Sequence, residues 1–114
     1  MKMTIEDLPN EVTKVSLDGR LDIPGAQAID LHWNVIVGSR RAIVVDLAQV
    51  SFIASMGLRT LVMGAKTVAS KRGRIVLLSP DANVETVLLS AGIDSLIPIH
   101  RSEADALAAV SAQG

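Results

Sequence analysis

The sequence has no cysteine and few aromatic residues, and both shortages exclude classes of site. Without cysteine, the chain can form neither disulfides nor thiolate metal sites. Its two histidines, His32 and His100, are isolated and have no flanking metal-ligand pattern. Aromatic residues make up 2% of the chain (Trp33 and Phe52), and the formal net charge is −1. Because nucleic-acid binders usually combine a basic face with stacking aromatics, we expect no direct nucleic-acid binding.

Long hydrophobic runs are also missing. No apolar segment approaches the ~18 residues that suggest a membrane span. Residues 1–7 contain no apolar stretch of the kind found in signal peptides. We therefore expect a soluble cytoplasmic protein that does not insert into membranes. The length of 114 residues and the hydrophobic fraction of 49% suit one domain, residues 1–114, with its own core.

The first half of the chain predicts a hairpin followed by a helix. Val12, Val15 and Leu17 mark a strand with one buried face, and residues 3–5 are its candidate partner across a turn at residues 9–10. A helix should begin near Asp22, since Pro24 suits a first helical turn. The apolar residues that recur at helical spacing are Ala26, Ile29, Trp33 and Ile36 or Val37, with Gly38 near the end.

The second half alternates strands with helices. Residues 42–47 and 75–78 are apolar runs typical of strands buried on both faces. Residues 58–68 and 83–91 carry helical patterns, and Ser102 precedes a last helix. Residues 97–99 predict an edge strand, because Pro98 cannot donate to a sheet ladder. The alternation predicts an α/β fold: a mixed sheet of four to five strands with about four helices.

The most informative segment joins the strand at residues 42–47 to the next helix. It reads Phe-Ile-Ala-Ser-Met-Gly-Leu-Arg over residues 52–59, and Ser55 lies where the helix should begin. A helix N-terminus has unpaired N–H groups and a partial positive charge, so it suits an anion. Ser55 is therefore interpreted either as a helix N-cap or as a phosphorylation switch.

Catalysis and nucleotide binding fit the same segment less well. Residues 53–57 resemble a nucleophile elbow, and Ser55, Asp94 and His100 follow a hydrolase triad order. However, Ile53 replaces the first glycine of that motif, and the chain is short for a hydrolase. The sequence also has neither a dinucleotide-binding glycine motif nor a P-loop lysine. We expect no enzyme activity, no catalytic residues, no metal and no cofactor.

Three segments together resemble the STAS domain of bacterial anti-sigma factor antagonists. Residues 17–22 are similar to the family's entry to its first helix. Residues 44–58 resemble the family segment that runs from a buried strand through a serine to Gly-Leu. Residues 78–80 and 91–93 are similar to the region of its third helix. The resemblance extends from about residue 4 to residue 110 and implies a STAS-like fold.

The resemblance also implies a function and its partners. The family's phosphoacceptor serine corresponds to Ser55. An anti-sigma factor that is also a serine kinase would bind the unmodified chain and phosphorylate it, and a PP2C-type phosphatase would reverse the modification. The implied partner-binding residues are Asp22, Ala54, Ser55, Met56, Gly57, Leu58 and Arg59. Asp22 could instead be only a helix cap.

Two positions depart from the family pattern. Ala54 replaces the aspartate before the serine, and Met56 replaces the serine or threonine after it. Ser55 is thus the only hydroxyl at this turn. The departures keep open an alternative from a different class, a phosphorylation-independent STAS subunit of an ABC-type lipid transport system. The oligomeric state is left open.

Overall fold

The computed structural model describes residues 1–111, and a five-stranded sheet forms its centre. The strands are β1 (Lys2–Leu8), β2 (Val12–Leu21), β3 (Ala42–Ile53), β4 (Arg74–Leu78) and β5 (Ile99–His100). They lie in the order β1-β2-β3-β4-β5. The pair β1 and β2 is antiparallel, and every other pair is parallel. The prediction of a mixed α/β sheet is confirmed.

Four α-helices cover the sheet in the described part of the chain. They are α1 (Ile23–Ser39), α2 (Ser55–Ser70), α3 (Ala82–Ser90) and α4 (Glu103–Ser111). Helices α1, α2 and α3 bury their apolar faces in the larger core cluster, and α4 covers a smaller one through Ala106 and Val110. The first parts of β2, β3 and β4 are therefore covered on both faces. Successive residues of β3 and β4 are buried alternately in the two clusters, and for this reason both strands contain continuous apolar runs.

Strand β3 is longer than the predicted run of residues 42–47. It continues to Ile53, and its second half pairs with the end of β2, so that Leu21 lies beside Ile53. The register between the two strands shifts at two places, between Ser16 and Asp18 and between Gly19 and Arg20. Such irregularities interrupt the alternation of apolar residues on which strand prediction depends. The predicted strand was therefore too short at this end.

The edge strand β5 is displaced from its predicted position. It comprises Ile99–His100 rather than residues 97–99. The Ile97 N–H donates to the Ile93 carbonyl within the preceding turn, so Ile97 is not part of the ladder. Pro98 lies just before the strand, and its carbonyl accepts from the Leu77 N–H at 2.8 Å. The expectation that this strand lies at the sheet edge is confirmed.

Helices α1 and α2 pack closely against each other through Trp33 and Gly64. Trp33 is 2% exposed, which confirms its predicted place in the core. A Cβ added at Gly64 would lie 2.6 Å from Trp33 Cζ2. Glycine is otherwise unfavourable inside a helix. Its presence here allows the indole ring to lie directly against the α2 backbone.

Helix α1 begins at a side-chain cap. Asp22 has extended backbone angles, and its Oδ1 accepts from the Gly25 N–H at 2.9 Å. Its Oδ2 accepts from Arg20 Nε at 3.2 Å. The hydrogen bond from Gly25 is the main cause that lowers the pKa of Asp22, and Arg20 lowers that pKa further. The predicted helix start at Asp22 is confirmed.

We predict that Gly64→Ala destabilises the domain by about 1–3 kcal/mol, because the added methyl group meets a buried ring that has no room to move. Gly38→Ala is the matched control. An added Cβ at Gly38 in α1 has nothing within 4 Å, so this change should be neutral or stabilise by up to about 1 kcal/mol. Urea denaturation of both variants measures the difference. Equal stability of the two variants would contradict the close α1–α2 contact.

We also predict that Asp22→Ala lowers the melting temperature by a few degrees at pH 7, because α1 loses its cap. A lowered pKa in the folded state means that the carboxylate stabilises the fold above about pH 4, and that this contribution disappears as the pH falls further. The difference in melting temperature between wild type and Asp22→Ala should therefore become smaller below about pH 4. Asp22→Asn, which retains a capping oxygen, is the control. A gap that stays constant from pH 7 to pH 3 would refute this role.

Candidate functional site

The candidate site lies at the carboxyl ends of β2 and β3. These strands are parallel neighbours, so Leu21 and Ile53 end at the same edge of the sheet. Each is followed by one residue and then a helix, with Asp22 before α1 and Ala54 before α2. The topology therefore brings the starts of α1 and α2 together. This explains how residues 22–23 and 54–59, distant in sequence, form one surface.

Ser55 is the first residue of α2 and not its N-cap. Ala54 has extended backbone angles and occupies the N-cap position, where it provides no side-chain hydrogen bond. The Ala54 N–H donates to the Leu21 carbonyl at 3.1 Å, and its carbonyl accepts from the Leu58 N–H at 3.0 Å. These two bonds place the N-cap at Ala54, one residue before Ser55. The interpretation of Ser55 as an N-cap is therefore wrong.

The Ser55 side chain is exposed and has no hydrogen-bond partner among residues 1–111. Since neither Asp94 nor His100 bonds to it, the sequence order of these three residues does not correspond to a hydrogen-bonded triad. The described residues also contain no cluster of His, Asp or Glu side chains that could hold a metal ion. What the geometry offers at Ser55 is an accessible hydroxyl at an uncapped helix start.

A shallow cavity of about 410 Å³ surrounds the hydroxyl. Its lining residues are Ile23, Ala54, Ser55, Met56 and Arg59. A neighbouring cavity of about 250 Å³ also includes Met56, together with Asp30 and Thr60. Ile23 and Met56 are 55% and 38% exposed, so exposed apolar side chains line the same cavity as Ser55. A surface of this kind suits contact with another protein.

Two of the predicted partner-binding residues differ from the rest in their surroundings. Gly57 is buried, and an added Cβ would lie 2.7 Å from Leu21 Cγ. Leu58 is half-buried and packs against the larger core cluster. Both residues therefore pack against the sheet at the start of α2. Ala54, Ser55, Met56 and Arg59 line the open cavity.

Asp22 and Asp46 both have structural partners, Asp22 before α1 and Asp46 within β3, seven residues before Ile53. Asp22 is occupied by Gly25 and Arg20, as described above. Asp46 Oδ1 accepts from the Ala48 N–H at 2.9 Å, where the register of β3 changes. Its other oxygen lies 3.6 Å from Lys14 Nζ. Neither carboxylate bonds to Ser55.

Ile23 and the pair Arg20–Phe52 were missed by the sequence interpretation. The Arg20 guanidinium carbon lies 4.2 Å from the centre of the Phe52 ring, at the same ends of β2 and β3. Ile23 lies outside the buried stripe of α1, at the first position after the cap. An apolar residue directly after a cap, outside the helical apolar period, is the signal that could have indicated an exposed contact residue.

Comparison with known proteins identifies the family of this chain. A sequence model of the STAS domain matches residues 5–106. BtrV of Bordetella bronchiseptica, a candidate anti-sigma factor antagonist, is 30% identical over 111 residues, which cover 96% of this chain and 94% of BtrV.

The part of the chain that the structure describes contains no helix of sufficient length and apolarity to cross a bilayer.

Two solved structures show the same fold. An anti-sigma factor antagonist from Mycobacterium paratuberculosis is 27% identical, with a TM-score of 0.86, over 96% of this chain and 92% of its own. The phosphorylated form of the Bacillus cell fate determinant SpoIIAA is 21% identical, with a TM-score of 0.73, over 96% and 99% of the two chains. The chain therefore belongs to the STAS domain family, in which BtrV and the Mycobacterium protein are named as anti-sigma factor antagonists.

Proposed function

We propose that this chain is an anti-sigma factor antagonist that binds an anti-sigma factor with serine kinase activity and is switched by phosphorylation of Ser55. The observation that carries the proposal is the exposed Ser55 hydroxyl at the uncapped start of α2, which has no hydrogen-bond partner in the part of the chain that the structure describes. The family relationship with BtrV supports the class of partner. SpoIIAA, which shares the fold, has a phosphorylated form.

The chemistry requires no catalytic group from this chain. In the kinase, the γ-phosphoryl group of ATP would pass to Ser55 Oγ, with loss of the hydroxyl proton and release of ADP. The product carries about −1.5 to −2 charges at neutral pH. The free N–H groups and partial positive charge at the start of α2 favour such an anion, so the antagonist can accept it without refolding.

The same charge would act strongly against the complex. The proposed contact surface consists of Asp22, Ala54, Ser55, Met56 and Arg59, with Gly57 and Leu58 positioning it. A dianion buried between Ile23, Met56 and a partner would lose its hydration, and this desolvation costs several kcal/mol per buried ion. Reversal of a 99:1 population to 1:99 needs about 5.5 kcal/mol. A single phosphate therefore supplies most of the free energy of a switch.

The proposed switch also needs a phosphatase that reverses it. A PP2C-type phosphatase would hydrolyse the phosphoserine and restore the binding form. All three proteins would act in the bacterial cytoplasm, where the sigma factor works. The chain itself would contact no DNA.

Incubation with the serine kinase of the same regulatory system and ATP, followed by peptide mass spectrometry, tests the proposal. Wild type should gain one phosphate, and Ser55→Ala should gain none. Ser51→Ala is the matched control, because Ser51 is an exposed serine in the preceding strand β3 and should not be the acceptor. Phosphate on Ser55→Ala, or none on wild type, would overturn the switch.

Affinity for the anti-sigma factor gives a second measurement. Phosphorylated wild type should bind at least about 100-fold more weakly than the unmodified chain, because about 3 kcal/mol corresponds to a factor of this size. Unmodified Ser55→Ala should bind like unmodified wild type. Equal affinity of both forms would argue against switching, and capture of an ABC transporter component instead would favour the transport-subunit alternative.

A further inference from the structure

Arg59 lies beside the proposed switch and has no acceptor among residues 1–111. Four other basic residues of the described chain form ion pairs, namely Lys14, Arg20, Arg40 and Arg101. Within residues 1–111, Arg59 forms neither an ion pair nor a side-chain hydrogen bond. It is exposed and lines the same cavity as Ser55. Its guanidinium is therefore available for an anion.

The helix geometry brings this guanidinium to Ser55. The two residues are four positions apart in α2, and side chains at this spacing are neighbours on one helix face, with Cβ atoms about 5–6 Å apart. An acid placed N-terminal to a base at this spacing is the more favourable orientation. Arginine also binds phosphate through two parallel hydrogen bonds, which a lysine cannot do.

Neither of the carboxylates near the site, Asp22 and Asp30, forms an ion pair with Arg59. Asp22 is engaged by the Gly25 N–H and by Arg20. Asp30 lines the adjacent cavity with Met56 and Thr60, and forms no ion pair in the described chain. A phosphate on Ser55 would lie four residues from Arg59 in the same helix, and it would carry more negative charge than either carboxylate. It is the anion that this arrangement favours.

We propose that phosphorylation of Ser55 closes an ion pair with Arg59 within the first turns of α2, and so withdraws this cation from the partner-facing surface. The inference rests on the proposed function. In the unmodified chain, the guanidinium binds a carboxylate of the anti-sigma factor. In the phosphorylated chain, the phosphate on Ser55 pairs with the Arg59 guanidinium of the same chain. Phosphorylation then both adds a repulsive charge and removes an attractive one.

The ion pair can be tested without any kinase, by incorporating phosphoserine at position 55 during translation. Phosphorus NMR over a pH titration gives the second pKa of the phosphate, which is ordinarily about 6. Because a nearby cation favours the dianion, Arg59→Gln should raise this pKa by at least about 0.3 units relative to wild type. Arg59→Lys should give an intermediate value, since it keeps the charge but loses the paired hydrogen bonds.

Lys66→Gln is the matched control, because Lys66 is another exposed cation of α2, far from the helix start. It should leave the phosphate pKa unchanged. The same pKa in wild type and Arg59→Gln, or an equal effect of Lys66→Gln, would overturn the ion pair. Since phosphoserine is installed directly, this failure is distinguishable from a failure of the kinase to modify Ser55.

The affinity of the unphosphorylated chain for the anti-sigma factor tests the proposed contact between Arg59 and the partner. Unphosphorylated Arg59→Gln should bind the anti-sigma factor about tenfold more weakly, as expected for the loss of a charge-assisted hydrogen bond. Lys66→Gln should bind like wild type. Unchanged affinity of Arg59→Gln would show that the partner does not use the guanidinium, and would overturn this half of the proposal.

Discussion

The site depends on the close approach of α2 to the end of β2. The Ala54 N–H donates to the Leu21 carbonyl at 3.1 Å, which extends the sheet pairing by one residue beyond Ile53. Gly57 then lies against Leu21 with no room for a side chain. These contacts determine where the helix begins and turn Ser55 outward. A residue larger than glycine at position 57 would move the first turn away from the sheet and alter the whole surface.

The charged groups around Ser55 differ in how strongly they are engaged by other groups. Asp22 is held by Gly25 and Arg20, so it adds little free negative charge near the switch. The uncapped start of α2 favours an anion, and so does Arg59, which has no ion pair within the described part of the chain. A phosphate on Ser55 would therefore be stable in the free domain. It would be unfavourable only where a partner covers it, which is the property that a reversible switch requires.

Helix positions were predictable wherever local chemistry determines them. Asp22 followed by Pro24 and the apolar stripe through Trp33 were sufficient to predict α1. The second half of β3 was not predicted, because the register shifts beside it break the alternation of its side chains. An N-cap was one of two interpretations of Ser55, because capping preferences favour serine over alanine. Here a long-range bond from Ala54 to Leu21 sets the helix start instead, and a single sequence does not reveal that partner.

Hydrogen exchange of the Ala54 amide, followed by NMR, tests the central claim most directly. If the bond to Leu21 positions the start of α2, the Ala54 amide should exchange as slowly as amides of the β2–β3 ladder. In Gly57→Ala, which forces α2 away from Leu21, it should exchange much faster, while Gly38→Ala leaves it unchanged. An Ala54 amide that exchanges as fast as exposed turn amides in wild type would contradict the account. So would exchange that is unaffected by Gly57→Ala.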